Sequence, residues 1–326
     1  MSARTRTYVV VAFAAIAAAA LVVGAVAVTR TSTGGAASPH TQTNAVARGR
    51  APALALDLGV RTDAEAVALR RANRLYAAGR RRQAEAIFRR YGSVEARVGA
   101  ALAAWPARTV PRLEALAREH PSSALVLLHL GLAQLANGRT AAARVSWRRA
   151  VARDPDTASA VHADELLHPQ FAPGLPAFVP SFPLPRAIRR LSPPAQLAAL
   201  RRGRDARTKL LYGSALQRLG RPVSAEREFV ATRRLSPASL EARVAAIVGS
   251  FSKSNPSRAF SRLGPMAARY PGSQTVRFHL GELLLWIGQV NEAKRQLKLA
   301  RAAGPETALG RTANSLLERL GGIRTN

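Results

Sequence analysis

Three prolines, Pro237, Pro271 and Pro305, stand 34 residues apart, and small and apolar residues precede each of them in the same order. Gly213, Gly220, Ala225 and Phe229 lead to the first, and Ile247, Ser254, Ala259 and Leu263 lead to the second. Gly281, Gly288, Ala293 and Leu297 lead to the third. A chain with a fixed period of this length folds by stacking copies of one supersecondary unit. Each copy buries its apolar face only against its neighbours.

Within one period, Leu210, Leu211, Leu216 and Leu219 recur with helical spacing up to Gly220, where a helix can end. A second helical run, Ala225 to Leu235, stops at Ser236-Pro237, because proline cannot continue it. Each unit is therefore helix, turn, helix, stop. The small residues Gly213 and Ala225 allow two helices to approach closely, and Phe229, Leu263 and Leu297 wedge between them.

This pattern resembles the tetratricopeptide repeat family. The fullest match is 124–155, with Leu127, Leu130-Gly131, Gly138, Ala143, Trp147, Ala150 and Pro155. Units 206–239, 240–273 and 274–307 follow in tandem, and the last carries Leu280-Gly281, Leu284, Gly288, Ala293, Leu297, Ala300 and Pro305. Upstream, 65–89 keeps Gly79, Ala84 and Phe88 but lacks the closing proline, and 90–123 keeps Pro121 but has Thr109 at a small-residue position. The unit 240–273 has Ile247 and Ser254 where glycines are expected, so looser packing is predicted there. The resemblance implies an all-α fold, a right-handed superhelical solenoid of antiparallel helix pairs. No run of alternating β-branched and aromatic residues argues for a sheet.

Tyr8 to Val28 is an apolar run of 21 residues. As a helix it would span about 31 Å, the thickness of a bilayer's hydrocarbon core. Its length predicts a transmembrane anchor. Its nine alanines and the Ala25-Val26-Ala27 sequence fit a cleaved signal peptide instead. Arg4 and Arg6 before the run, against Arg30 just after it, place the N-terminus in the cytoplasm and the rest outside. The expected organisation is a basic tail at 1–7, the anchor at 8–28, a flexible linker at 29–60 and a repeat block at 61–155. A Pro/Phe-rich insert at 156–205, three tandem repeats at 206–307 and a capping helix with tail at 308–326 complete it.

In the insert, His168 to Pro185 holds Pro169, Pro173, Pro176, Pro180, Pro183 and Pro185 around Phe171, Phe178 and Phe182. So many prolines exclude helix, and three phenylalanines argue against disorder. The loop is expected to pack over the repeats, either as a structural cover or as a ligand-like plug.

Cysteine is absent, which excludes thiolate metal sites and thiol nucleophiles. Net charge is +30, from 49 bases and 19 acids, and such a field attracts anionic polymers or lipid. Aromatics are only 5% of the chain, too few for a base-stacking platform, so nucleic acid is disfavoured. His162 and His168 flank Asp164 and Glu165, but six residues separate them, about 600° around a helix, so they do not make one metal face. His129 and His279 lie inside repeat helices as packing or surface residues. No motif for catalysis, cofactor or metal stands out, and the chain is read as a binding protein rather than an enzyme.

In the family that the pattern resembles, the first helix of each repeat lines the concave surface. That implies a candidate protein-binding groove of Leu128, Leu132 and Leu135, then Leu210, Ser214 and Gln217. Val244, Val248 and Phe251 follow, then Phe278, Glu282 and Leu285. The groove is expected to be mainly apolar. It lacks the Lys and Asn with which some members grip a terminal carboxylate. Its occupant is a partner protein or peptide, the 168–185 loop, or a second copy of the chain. The overall expectation is a membrane-tethered scaffold, with binding of polyanions by the arginines as the alternative.

Overall fold

A computed structural model describes residues 50–321, so the apolar run at 8–28 lies outside the described residues. Among the described residues there are sixteen helices and no strand, and none of the helices is long and apolar enough to cross a membrane.

The chain divides into two compact units. Among the described residues, the N-terminal unit takes 50–167 with the short turn 219–222, and the C-terminal unit takes 168–218 and 223–321. The seam at 167/168 falls inside the segment 156–205 and assigns the Pro/Phe-rich stretch to the second unit.

The N-terminal unit consists of α1 (Ala64–Ala77), α2 (Arg81–Phe88), α3 (Val94–Ala103), α4 (Thr109–Glu119), α5 (Ala124–Ala136), α6 (Thr140–Arg153) and α7 (Ala158–Leu167). Consecutive helices pack on one another throughout it, and every second helix also touches in places, as α5 does with α3 and α7. Helix α5 is apolar all round and buries twelve of its thirteen residues, as a helix must when neighbours cover every side. Its Gly131 makes room for Trp147 of α6: a Cβ there would lie 2.3 Å from the indole Nε1. That nitrogen donates to the Leu128 carbonyl at 3.2 Å, so the one polar atom of the ring is satisfied in the core.

The C-terminal unit starts with the irregular stretch to Pro185, then α8 (Arg186–Arg189) and α9 (Pro193–Arg202). Three helix pairs follow: α10 (Ala206–Arg218) with α11 (Pro222–Leu235), α12 (Leu240–Gly249) with α13 (Ser257–Arg269), and α14 (Gln274–Trp286) with α15 (Val290–Ala302). Helix α16 (Ala308–Gly321) closes the row, burying Leu309, Ala313, Leu316 and Leu320 against it. Ala225, Ala259 and Ala293 are all buried, as are Phe229, Leu263 and Leu297 one turn later.

The period is also written in the caps of the first helices. Asp205, Ser239, Ser273 and Thr307 stand at 34-residue intervals. Each accepts, through its side-chain oxygen, the backbone N–H three residues on, at 2.9–3.4 Å. Such a cap satisfies one of the donors that a helix N-terminus leaves open and is worth about 1 kcal/mol.

Candidate functional site

The stretch between α7 and α8 is neither disordered nor a loose cover. Residues 172–184 form a strap that lies along α10, α12 and α14, the first helices of the three tandem pairs. Prolines at 173, 176, 180 and 183 keep it out of helix and remove an N–H group at every third or fourth residue. Ala172 donates to the Trp286 backbone carbonyl at 3.3 Å, and four further N–H groups are met by side chains. Ala177 donates to Glu282 Oε1 at 3.1 Å, Phe178 to Gln217 Oε1 at 2.8 Å and Val179 to His279 Nε2 at 2.9 Å. Beyond Pro180, Ser181 donates to Glu241 Oε1 at 2.6 Å.

The repeats also donate to the strap. Ser214 Oγ bonds the Phe178 carbonyl at 3.1 Å, and Trp286 Nε1 bonds the Gly174 carbonyl at 3.3 Å. Nearly all of these contacts address backbone atoms of the strap. Its side chains add an anchor: the Phe178 ring is buried, stacked on His279 at 4.9 Å and edge-on to Phe229 at 5.5 Å. Farther along, Arg207 sits over the Phe182 ring at 4.3 Å, and Leu184 packs with Leu200 and Leu211.

His279 is fitted to this task by its own helix. Its Nδ1 faces the Thr275 carbonyl at 2.7 Å, and a carbonyl can only accept. The proton therefore resides on Nδ1, which leaves Nε2 as the acceptor that the Val179 N–H requires. Burial disfavours the imidazolium and lowers its pKa to about 4, so the ring is neutral at physiological pH.

The N-terminal unit carries the same device. His129 of α5 faces the Leu125 carbonyl through Nδ1 at 2.8 Å and accepts the Ala55 N–H through Nε2 at 3.1 Å. Its pKa is also lowered to about 4, by burial first and by the neighbouring His162 second. The segment 51–58, just ahead of α1, is thus held across its unit. The Tyr76 hydroxyl, buried and with its pKa raised to about 12, fixes it further by donating to the Pro52 carbonyl at 2.5 Å. Tyr76→Phe leaves that buried carbonyl unpaired. The expected result is a loss of about 1 kcal/mol in the N-terminal unit, with faster proteolysis at 51–58, read by urea denaturation and limited digestion.

Glu282 is the other unusual group. Its side chain is buried, its Oε1 takes the Ala177 N–H, and its Oε2 has no hydrogen-bond partner. Burial raises its pKa to about 8, against a smaller opposing effect of the Ala177 N–H, so the carboxyl is mostly neutral at pH 7.

Of the residues expected to line a groove, Ser214, Gln217 and Glu282 touch the strap. Leu210, Val244, Val248, Phe251, Phe278 and Leu285 are buried in the core of the C-terminal unit. Leu128 and Leu132 are buried in the N-terminal core, with Leu135 half-buried beside them. Polar side chains, not an apolar lining, supply the contacts to the strap's backbone. His279 and Glu241 are the residues that sequence reasoning passed over. The signal for the histidine was present: both His129 and His279 immediately precede a Leu-Gly pair, Leu130-Gly131 and Leu280-Gly281. Among the described residues no group of three or more His, Asp or Glu side chains is placed to hold a metal ion.

Family models for the tetratricopeptide repeat match residues 251–317 and 125–157. Among solved structures, similarity extends to a chain of the crystal structure of the APC/C hetero-tetramer Cut9–Hcn1, at 16% identity and a TM-score of 0.27. That similarity covers 79% of this chain and 56% of the other, so this chain spans little more than half its length. It extends also to the C-terminal part of a TPR repeat-containing protein from Cytophaga hutchinsonii, at 13% identity and a TM-score of 0.25, covering 76% of this chain and 98% of that one. A search of curated proteins found no match. Tetratricopeptide-repeat models thus match both units of this chain, at 125–157 in the first and at 251–317 in the second.

Proposed function

We propose that this protein is a scaffold that mediates protein–protein interaction, binding an extended segment along the first helices of its repeats and doing no chemistry of its own. Tetratricopeptide repeats imply protein partners in general. One observation supports the mode of binding here: an extended chain already lies along α10, α12 and α14, held by Gln217, Glu241, His279 and Glu282 through its backbone. Backbone capture suits a peptide ligand, because it needs no more than an extended conformation, while a few buried side chains set specificity. The reading includes a tether, with residues 8–28 as a membrane anchor and the repeats on the extracytoplasmic side.

The test is a photo-cross-linker placed in cells at Gln217 or Glu241, with Leu235 and Leu299 as exposed controls. Cross-links to another protein from the first pair and not from the second are expected. The reverse pattern would sink the groove reading. Alkaline phosphatase fused after Asn326 tests the tether, since it is active only outside the cytoplasm and should fractionate with membranes.

The net charge of +30 supports a second reading, in which the arginines bind an anionic polymer or lipid. Binding that falls steeply between low and moderate salt would favour it, and salt-insensitive binding would exclude it.

A further inference from the structure

We infer that residues 172–184 are an intramolecular stand-in for the partner: a displaceable strap that competes for the groove of the C-terminal unit. The partner it yields to is an extended segment of another protein, built on a small residue, a phenylalanine, a β-branched residue and a proline in succession. This rests on the groove reading above and goes beyond it, because it names both the competitor and the pattern of the ligand.

The pattern comes from the strap itself. At Ala177, Phe178 and Val179 three consecutive N–H groups meet three side-chain acceptors, and at Pro180 there is no N–H and none is needed. Phe178 is the anchor, 1% exposed between the His279 and Phe229 rings. Its neighbours Ala177 and Val179 are only half-buried, so their side chains are less strictly specified.

Displaceability comes from an imperfect fit. The strap leaves Glu282 Oε2 buried with no partner, although Oε1 of the same carboxyl is bonded. Two of its outer bonds are long, Gln217 Nε2 to the Pro176 carbonyl at 3.5 Å and Trp286 Nε1 to the Gly174 carbonyl at 3.3 Å. A buried polar atom without a partner is costly, so a ligand that also satisfies Oε2 gains over the strap. The strap holds its place because it is covalently joined to α7 and α8. Its effective concentration is in the millimolar range or above, and a weak fit then suffices.

The experiment uses the full-length protein and a fluorescein-labelled peptide of residues 172–185, with binding read by anisotropy. Two variants open the strap. Phe178→Asp removes the anchor, and Val179→Pro keeps the anchor but removes the N–H that His279 accepts and fixes φ at that position. The peptide is expected to bind both variants at least about tenfold more tightly than the wild-type protein. Adding Gln217→Ala to Val179→Pro should weaken it again by about fivefold or more. Equal binding to wild type and variants would overturn the competitor while leaving the groove as a binding site. No binding to variants that keep the wild-type circular dichroism would overturn the groove reading as well. If both variants fail to fold, the strap is part of the core and cannot be displaced, which also overturns the inference.

Discussion

Replacing Phe229 by alanine is expected to cost the C-terminal unit about 3–5 kcal/mol, the range for deleting a fully buried aromatic ring that its surroundings cannot refill. Phe229 has no exposed surface and sits where three elements meet. A Cβ added at Gly213 of α10 would lie 2.4 Å from its ring, and one added at Gly249 of α12 would lie 2.6 Å away. The strap closes the third side with Phe178, edge-on at 5.5 Å. The ring is therefore gripped by two successive repeats and the strap, and none of these backbones can collapse into the hole without breaking repeat packing. Hydrogen exchange followed by mass spectrometry is the measurement, because it resolves the two units. Amides of α10 to α12 should lose protection by the stated amount, while those of α3 to α6 should not change. Gly272→Ala, in the turn before α14, is the control. A methyl there meets nothing within 4 Å, so stability should change by less than about 0.5 kcal/mol. Loss of protection across both units in Phe229→Ala would contradict this account.

How much of this was legible in the sequence follows from the range of each interaction. The spacing of Pro237, Pro271 and Pro305 and the small residues ahead of them report packing between neighbouring helices, and the helix pairs lie where that spacing put them. The absence of helix from His168 to Pro185 follows from proline alone. The caps Asp205, Ser239, Ser273 and Thr307 were equally visible, because a cap bond spans only three residues. The role of the strap was not. The Val179–His279 bond joins residues 100 apart, and Ala177–Glu282 joins residues 105 apart. No local pattern encodes which helix such a segment crosses, and the choice between a cover and a plug stayed open. The histidines were assigned to packing or surface because each was weighed alone. Taken together, their shared place before Leu-Gly in two separate repeats marks a common task. Of the positions carried over for a groove, Ser214, Gln217 and Glu282 bond the strap, while the leucines and valines of the second unit lie in the cluster that also takes Ala172 and Phe178 of the strap.

The two units are expected to respond differently to alkali. In the N-terminal unit, His129 has a pKa of about 4 when folded, against an ordinary value of 6.5. Between these values the unfolded chain binds more protons, so stability rises with pH and is lost as pH falls through 6.5 towards 4. The gain is about 3 kcal/mol, complete by pH 6.5 and level above it. In the C-terminal unit His279 adds the same rise, with its folded pKa again about 4. Glu282 opposes it, because its folded pKa is about 8 against an ordinary 4.5, so the folded chain binds more protons between these values. Its contribution is fully present below pH 4.5 and is lost as pH rises through 8, about 5 kcal/mol over the whole span. From pH 4.5 to 6.5 the two slopes cancel. From 6.5 to 8 only that of Glu282 remains, and the C-terminal unit should lose about 2 kcal/mol. Tryptophan fluorescence during urea unfolding can separate the units, since Trp105 and Trp147 lie in the first and Trp286 in the second. The Trp286→Phe protein reports the first unit alone, and the difference reports the second. Glu282→Gln keeps an acceptor for the Ala177 N–H but cannot ionise. It should abolish the loss above pH 6.5 and give the second unit the profile of the first. A wild-type C-terminal unit that gains stability between pH 6.5 and 8 would show that the Glu282 carboxyl is not buried beneath the strap.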